Sequence, residues 1–390
     1  MDAGLLFRYF EANGWALTSD AGQADLLLIG TCGFSQDVEE TCLDLVSQVM
    51  KRVKPSATVV AFGCLPGINE SALTSRFRIV PLVRSKLSKL DEIIGARVPI
   101  GEVDEVNVID DYVDRARNVF SPSDRLRVRL KPSLRNTAMT LASWLTRYRV
   151  FSQWDESQTD QFNIRVAAGC LSECSYCAIR HALGPVRSKP LDAVKQEFEA
   201  GLRSGHTRFR LIAEDVGVYG HDCDSTVIDL LTMLFDHAGD FKLSWDDFQP
   251  EWLLRYSAGL IPLLSRNAGR LGYIAFPIQS GSDRILRMMK RNYSAGDVAN
   301  CLRVLQDACP GLLIDTHIMI GFPGESREDF AQTLGLLEQV RFRRPLPFVY
   351  TDRPGTEASE MPNKVSLFVK AVRLCQFRRK IAALHASAKR

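Results

Sequence analysis

No run of apolar residues in this 390-residue chain is long enough to span a bilayer. The opening stretch, MDAGLLFRYFEANGWAL, has neither the basic start nor the small-residue cleavage site of a secretory leader. It reads instead as an amphipathic helix, and a cytoplasmic location is the expectation. Charge of one sign is scarce. Lys and Arg number 49 against 46 Asp and Glu, and a net charge of +3 does not by itself argue for nucleic acid. Internal repeats and low-complexity tracts are absent, which excludes solenoids and arrays. Material for a core is not lacking: 46% of residues are hydrophobic and 24% charged, enough for two or three domains without disulfide staples.

Ten cysteines in a cytoplasmic chain call for a reason other than disulfides. Three of them, Cys170, Cys174 and Cys177, are bunched. The others, Cys32, Cys42, Cys64, Cys223, Cys301, Cys309 and Cys375, are scattered.

Residues 1–100 alternate helix and strand signals. A helical stretch over Leu5–Asn13 precedes ADLLLIG (Ala24–Gly30), a short apolar run that fits a buried parallel strand. A helix from Gln36 to Val53 and a second buried strand, TVVAFG (Thr58–Gly63), follow. Such alternation implies βαβ units and a doubly wound sheet, whose ligands lie at the carboxyl ends of the strands. Here those ends carry Thr31-Cys32-Gly33 and Cys64-Leu65-Pro66-Gly67.

Residues 101–160 read as a linker with one helix near Thr137–Arg147. It is acidic over Asp104–Asp114 and basic over Arg125–Arg149. The basic part reads either as a solvated face across a domain junction or as a phosphate contact, and Trp144 either as core or as a base-stacking ring. From residue 161 to 390 the α/β rhythm returns. Strands are expected at Phe162–Ala168, Phe209–Ala213, Leu243–Trp245, Tyr273–Pro277 and Leu313–Gly321. Helices are expected near Leu191–Gly205, Thr226–Ala238, Ser282–Arg291, Ser294–Ala308 and Ser326–Val340. This pattern is a partial (β/α) barrel, closed by a helix over Val365–Ser387.

The bunched cysteines lie in Ala168-Gly169-Cys170-Leu-Ser-Glu-Cys174-Ser-Tyr176-Cys177, after a strand and so on a loop at the barrel mouth. Thiolates are soft ligands suited to zinc or to iron–sulfur clusters. A closed zinc site wants a fourth ligand, and none is near in sequence. Three thiolates on a [4Fe–4S] cube leave one iron open to a small molecule. The bland alternatives are buried core cysteines or a zinc knuckle.

With this spacing, and an aromatic before the last cysteine, the segment resembles the radical S-adenosylmethionine (SAM) superfamily. The resemblance implies that Cys170, Cys174 and Cys177 hold a [4Fe–4S] cluster whose open iron chelates SAM. It also implies reductive cleavage of SAM to a 5′-deoxyadenosyl radical that abstracts a substrate hydrogen. Other segments fit cofactor contacts, with Tyr176 inside the triplet itself. Glu214 and Asp215 end a strand, where they either hold the SAM amino group or ribose or serve as a solvated strand end or a cap. Gln279-Ser280-Gly281-Ser282-Asp283 joins a strand to a helix, with Ser282 or Asp283 as its N-cap. Gly321 opens a glycine-rich turn that matches the superfamily's adenine-binding turn. Arg291 is a candidate for the methionine carboxylate or an ordinary surface arginine.

Most of the chain, about residues 5–380, looks like the methylthiotransferase branch of that superfamily. The stretches that carry this are ADLLLIGTCGF, VVAFGCLPG, QSGSDRILRMMKR, IGFPGESREDF and YTDRPGTEASEMP. Members place a methylthio group on an unactivated carbon of a tRNA adenosine or a ribosomal-protein aspartate. A second cluster in the N-terminal domain supplies or carries the sulfur. The resemblance assigns Cys32 and Cys64 to that second cluster, where by their residues alone each also reads as an ordinary buried cysteine; Cys42, mid-helix, reads as packing. It departs in two places. The family's earliest cysteine, before the first helix, has no counterpart, since Met1 begins at that helix. Either the start lies upstream or the second cluster has two family-type cysteines. The usual C-terminal RNA-gripping β-barrel has no counterpart either, the chain reaching Arg390 in a basic helical tail. The expectation is therefore sulfur insertion into a small or nucleoside-like natural product, with RNA disfavoured. The electron donor would be a flavodoxin or ferredoxin. The alternatives are a tRNA or protein methylthiotransferase, or a radical SAM epimerase or dehydrogenase without sulfur transfer.

Overall fold

A computed structural model describes residues 2–18, 20–103 and 161–387. The acidic and basic linker stretches, Trp144 and the helix expected at Thr137–Arg147 lie outside the described residues. The chain divides into two compact units. The first contains residues 2–103 with Cys177–Gly184 and Thr351–Thr356, and the second contains 161–176, 185–350 and 357–387.

In the first unit, β1 (Leu26–Thr31), β2 (Thr58–Gly63) and β3 (Val80–Val83) form a parallel sheet in the order β1-β2-β3. One face of these strands, with Ile29, Val59 and Ala61, packs on Leu43 and Val46 of the helix Gln36–Met50. The other face, with Val60 and Leu82, packs on Leu6 and Tyr9 of the helix Asp2–Ala12 and on Leu90. Helices on both faces make it doubly wound, and explain why its strands are apolar runs rather than alternating ones. Gly63 has φ +121, and a Cβ there would lie 2.3 Å from the Thr31 carbonyl oxygen, so only glycine fits this strand end.

In the second unit six parallel strands run in the order β4 (Phe162–Arg165), β7 (Arg208–Ile212), β8 (Lys242–Trp245), β9 (Leu271–Gln279), β10 (Leu313–Ile320), β11 (Arg344–Val349). A short antiparallel pair, β5 (Ala167–Ala168) and β6 (Arg187–Ser188), flanks the cysteine loop. Spatial order equals chain order and helices lie between the strands, as in a partial (β/α) barrel. Ile314, Ile318 and Ile320 of β10 join the main core, while Asp315, His317 and Met319 alternate to the other face.

Several elements have no counterpart among those the sequence leads one to expect, among them β3, the helix Lys89–Ile94, the helix Pro250–Arg266 and β11. Pro250 sits at the first helical turn, where no N–H is needed, and Pro262 is carried inside the helix. Leu253, Leu260, Leu263 and Leu264 of this helix are buried, and each contributes roughly 1.5–3 kcal/mol. That offsets the roughly 3 kcal/mol cost of an interior proline. Pro345 and Pro347 fall in β11, an edge strand, where a missing donor is tolerated.

Candidate active site

The cysteine loop leaves β5 through Gly169, whose φ of +95 brings it within 2.8 Å of the Val186 Cα for any added Cβ. The Gly169 N–H donates to Glu214 Oε2 at 3.0 Å, so the carboxylate just past β7 fastens the loop. Further on, the Ser175 N–H donates to the Met289 carbonyl at 3.1 Å, and its hydroxyl to that of Met288 at 2.8 Å. Its own carbonyl accepts from the Ala358 N–H at 2.9 Å. Cys174 between these anchors is buried. Cys177 is half-buried and begins the segment that clusters with the first unit.

Cys170 Sγ accepts from the Ser172 N–H at 3.4 Å and from Gln249 Nε2 at 3.9 Å. Burial first, and then the nearby Asp215 charge, push its thiol up to about 12. A thiolate at this position needs a cation to balance it, which bound iron supplies. Among the described residues no three His, Cys, Asp or Glu side chains are already drawn together as a metal site. All three cysteines of the loop are free of disulfides. The donor set, three thiols on one loop with the Ser172 N–H and the Gln249 amide turned on the Cys170 sulfur, fits an iron–sulfur cluster with one open iron.

Beside the loop lies a buried polar group. Arg291 follows the helix Asp283–Met288 and is 7% exposed. It donates one terminal N–H to Gln249 Oε1 and another to the Tyr176 hydroxyl, while its Nε has no partner. Chiefly through burial, the Tyr176 phenol is held well above its usual range. Gln249 thus joins Arg291 to the Cys170 sulfur. Gln279, ending β9, has φ +73, a strained value for a non-glycine residue, and its buried Oε1 has no partner. Two partnerless buried polar atoms are expensive unless a ligand satisfies them.

Three other expected contacts take different roles. Asp215 is fully buried and its carboxylate accepts from Gly217 N at 3.0 Å, Gln249 N at 3.2 Å and Trp252 Nε1 at 2.7 Å. It takes the capping alternative and positions Gln249 rather than facing a ligand. Ser280 is also fully buried, bonded to Thr333 Oγ1 at 3.3 Å and to the Ser282 N–H at 3.1 Å. Ser282 is the N-cap, and its hydroxyl donates to Asp329 Oδ1 at 2.6 Å. The Gly321 N–H donates to Glu325 Oε2 at 2.8 Å, and the space beside its Cα is filled by the stem of Lys370.

Sequence reasoning missed Gln249, Trp252 and an acidic pair beyond β8. Asp247 has φ +52 and lies 3.6 Å from His317 Nδ1. Burial, together with Asp246, Asp215 and Glu214, pushes Asp247 up to about 7, and burial pushes His317 down to about 4. The signal available was the run Asp246-Asp247-Phe248-Gln249-Pro250 at a strand end. A cleft of about 620 Å³ runs beside the cysteine loop, with Arg255, Arg287, Lys290 and Arg291 in its wall.

In the first unit, Thr31 and Gly63 are the last paired residues of β1 and β2, so Cys32 and Cys64 follow side by side. The Cys64 N–H donates to the Thr31 carbonyl at 3.1 Å, and the Cys32 N–H to Cys42 Sγ at 3.3 Å. Cys42 therefore packs, as expected, but also touches Cys32. No helix among the described residues is long and apolar enough to cross a membrane.

Residues 164–337 match the family model of the radical SAM superfamily, and residues 1–84 match that of the uncharacterized protein family UPF0004. The tRNA-2-methylthio-N(6)-dimethylallyladenosine synthase of Nitrosomonas eutropha is 28% identical over 373 residues, covering 94% of this chain and 76% of the relative. Its counterpart in Shewanella pealeana is 28% identical, covering 93% of this chain and 70% of the relative. Among solved structures, the radical SAM methyltransferase TsrM from Kitasatospora setae aligns with a TM-score of 0.58 at 16% identity. That alignment covers 86% of this chain and 66% of TsrM. The cobalamin-dependent radical enzyme OxsB aligns at 0.50 and 13% identity, over 92% of this chain and 48% of OxsB. At such identities these structures establish the fold alone.

Proposed function

We propose, for a chain that belongs to the radical SAM methylthiotransferase family, that it inserts sulfur into an unactivated carbon of a tRNA adenosine. Its cofactors are a [4Fe–4S] cluster and SAM, with a second iron–sulfur cluster as sulfur source. The bound cluster and SAM supply a reductively formed carbon radical that removes a substrate hydrogen. Cys170, Cys174 and Cys177 hold that cluster, and Cys32 and Cys64 take part in the second.

One observation carries the reading: Arg291 is buried, cationic and short of a partner beside the Cys170 loop. A buried guanidinium suits a carboxylate, the group that SAM presents next to the iron it chelates. Gln249 holds Arg291 on one side and the Cys170 sulfur on the other. Asp215 fixes Gln249 in turn through its backbone N–H. Gln279 offers an acceptor to a ligand N–H or O–H. Glu214 keeps the loop closed from below.

The substrate reading moves from the small molecule favoured by sequence to tRNA. The small-molecule preference leans on where the chain stops. The relatives named for tRNA methylthiolation align over nearly all of it. The electron donor in this reading is a flavodoxin or ferredoxin, whose acidic face would meet the cations Arg255, Arg287 and Lys290 at the cleft, beside Glu173 and Glu251. A cytoplasmic location suits ten reduced cysteines. The test incubates reconstituted protein with tRNA that carries N(6)-dimethylallyladenosine but no methylthio group, SAM and reductant, then digests the tRNA to nucleosides for mass spectrometry. A methylthiolated adenosine is expected. SAM cleavage without any sulfur-bearing nucleoside would move the substrate elsewhere.

A further inference from the structure

The inner face of the barrel carries an unmatched polar pair, Asp247 and His317. On β10, Ile314, Ile318 and Ile320 enter the main core, and His317 turns the other way. On β9, Ile274, Phe276 and Ile278 enter that core, so Tyr273 and Gln279 share the inner face with His317. Asp247 reaches His317 from just past β8, in a left-handed conformation with φ +52. Its carbonyl accepts from the Val216 N–H at 3.1 Å, and the next N–H, of Phe248, donates to the Ala275 carbonyl at 3.0 Å, so the backbone here is fixed.

Neighbouring carboxylates have cations. Asp246 lies 3.4 Å from Arg210 Nη1 and accepts from the Tyr273 hydroxyl at 3.4 Å, and Asp315 pairs with Arg343 at 2.5 Å. Asp247 and His317 have each other, 3.6 Å apart, too far for a hydrogen bond. Among the described residues no other side chain hydrogen-bonds to either. Burial first, then the charges of Asp246, Asp215 and Glu214, push the Asp247 carboxyl up to about 7, and burial pushes the His317 imidazole down to about 4. An ion pair would shift both the other way. At pH 7 the imidazole is uncharged and about half of the carboxyls keep their proton. Yet the Asp247 side chain is 42% exposed, and a group so crowded but open to solvent lies in a recess. An independent feature points there. Gln279, whose Cα pairs with that of Ile318 next to His317, is 7% exposed and its Oε1 has no partner. Phe348 meets the His317 ring edge-on at 5.1 Å.

This set suits a nucleoside. Asn and Gln read adenine through N7 and N6–H with an amide, and a carboxyl that keeps its proton presents the same donor and acceptor. A base alkylated at N6 retains one N–H there, and its C2 lies on the far side of the ring, free for the chemistry. We propose that Asp247 and His317 are the base-reading pair for the target adenosine: the Asp247 carboxyl takes the N7 and N6–H edge, His317 and Phe348 border the ring, and Gln279 accepts from a ribose hydroxyl. The inference rests on the reading above that the substrate is a tRNA adenosine, and names the residues that recognise it. The Arg291 charge acts on both Asp247 and His317, so the pair lies within electrostatic reach of the residue assigned to SAM. SAM carries an adenine too, and the test separates the two.

The full chain is reconstituted anaerobically and given tRNA that carries N(6)-dimethylallyladenosine but no methylthio group, with SAM and reductant. The readouts are kcat/KM for the tRNA, SAM affinity by equilibrium titration and iron per chain. Asp247→Gly deletes the carboxyl and suits the positive φ. It should lower kcat/KM about ten- to hundred-fold while SAM affinity and iron stay at wild-type values. Asp247→Asn, whose amide offers the same donor and acceptor, should recover most of that loss. His317→Phe keeps a ring against Phe348 and should cost about three-fold or more; it decides the matter if Asp247→Gly loses its iron through misfolding. An equal loss of SAM affinity in Asp247→Gly gives the pair to the adenine of SAM and overturns the proposal. So does an Asp247→Asn variant as poor as Asp247→Gly, or wild-type kcat/KM in both Asp247→Gly and His317→Phe. A wild type that makes no sulfur-bearing nucleoside overturns the tRNA reading and this inference with it, whereas a working wild type with indifferent variants overturns the inference alone.

Discussion

Replacing Asp329 by alanine should cost the barrel about 3–5 kcal/mol, and the structure says why. Asp329 is 4% exposed and joins two segments 47 residues apart, the Gln279–Asp283 turn and the helix Arg327–Gln339. It accepts from the Ser282 hydroxyl at 2.6 Å and from the Ser326 N–H at 2.8 Å, the latter as half of a capping box. It also pairs with Arg284. A cap is worth about 1 kcal/mol and a buried hydrogen bond to a charged group about 1.5–3. The Arg284 side chain is 48% exposed, so its pairing is screened and adds about 0–1 kcal/mol. Alanine also strands the Ser282 hydroxyl in the core. Burial opposes ionisation of Asp329, yet the bonds from Arg284, Ser282 and Ser326 hold it well below the usual carboxylate range. Its contribution is therefore complete above the unfolded value near 4 and fades only as pH falls through the lower folded value. Thermal unfolding followed by calorimetry should show a drop of roughly 6–20 °C at pH 7. The gap to wild type should persist down to about pH 4 and narrow below it. A drop under about 2 °C, or a gap that already closes near pH 6, would refute this reasoning.

Gly281→Ala should lower thermal stability by about 1–3 kcal/mol, because the new Cβ would lie 2.5 Å from the Gln332 carbonyl oxygen; a melting curve unchanged from wild type would count against the packing described. Asp247, pushed up to about 7 by burial and its acidic neighbours, keeps its proton in the fold where the unfolded chain has lost it. Its stabilisation is thus full below about pH 4 and lost as pH rises through 7. Denaturant midpoints of Asp247→Asn should fall less with pH across that window than those of wild type. Arg291→Ala should weaken SAM binding to the unreduced holoprotein about ten- to hundred-fold, read by equilibrium titration, while the iron content stays the same.

Much of this was legible in the sequence because it is local. ADLLLIG and TVVAFG are short apolar runs, and the structure places strands at Leu26–Thr31 and Thr58–Gly63. The spacing of Cys170, Cys174 and Cys177 is a local signature as well. What the sequence hid is tertiary. Gln249 meets Cys170 across 79 residues, and Arg353 meets Glu39 across 314. No periodicity announces such pairs. The helix at Pro250–Arg266 was hidden for another reason: its prolines read as breakers, although one starts the helix and packing outweighs the other. Asp215 shows the opposite error. A strand-end carboxylate looks like a ligand contact until its three donors are seen.

The most direct test of the central claim is SAM cleavage by the anaerobically reconstituted, chemically reduced protein, with a Cys174→Ala variant beside it. The account predicts 5′-deoxyadenosine and methionine from the wild type and none above background from the variant. A wild type that holds its iron, is reduced, binds SAM and still leaves it intact would contradict the account.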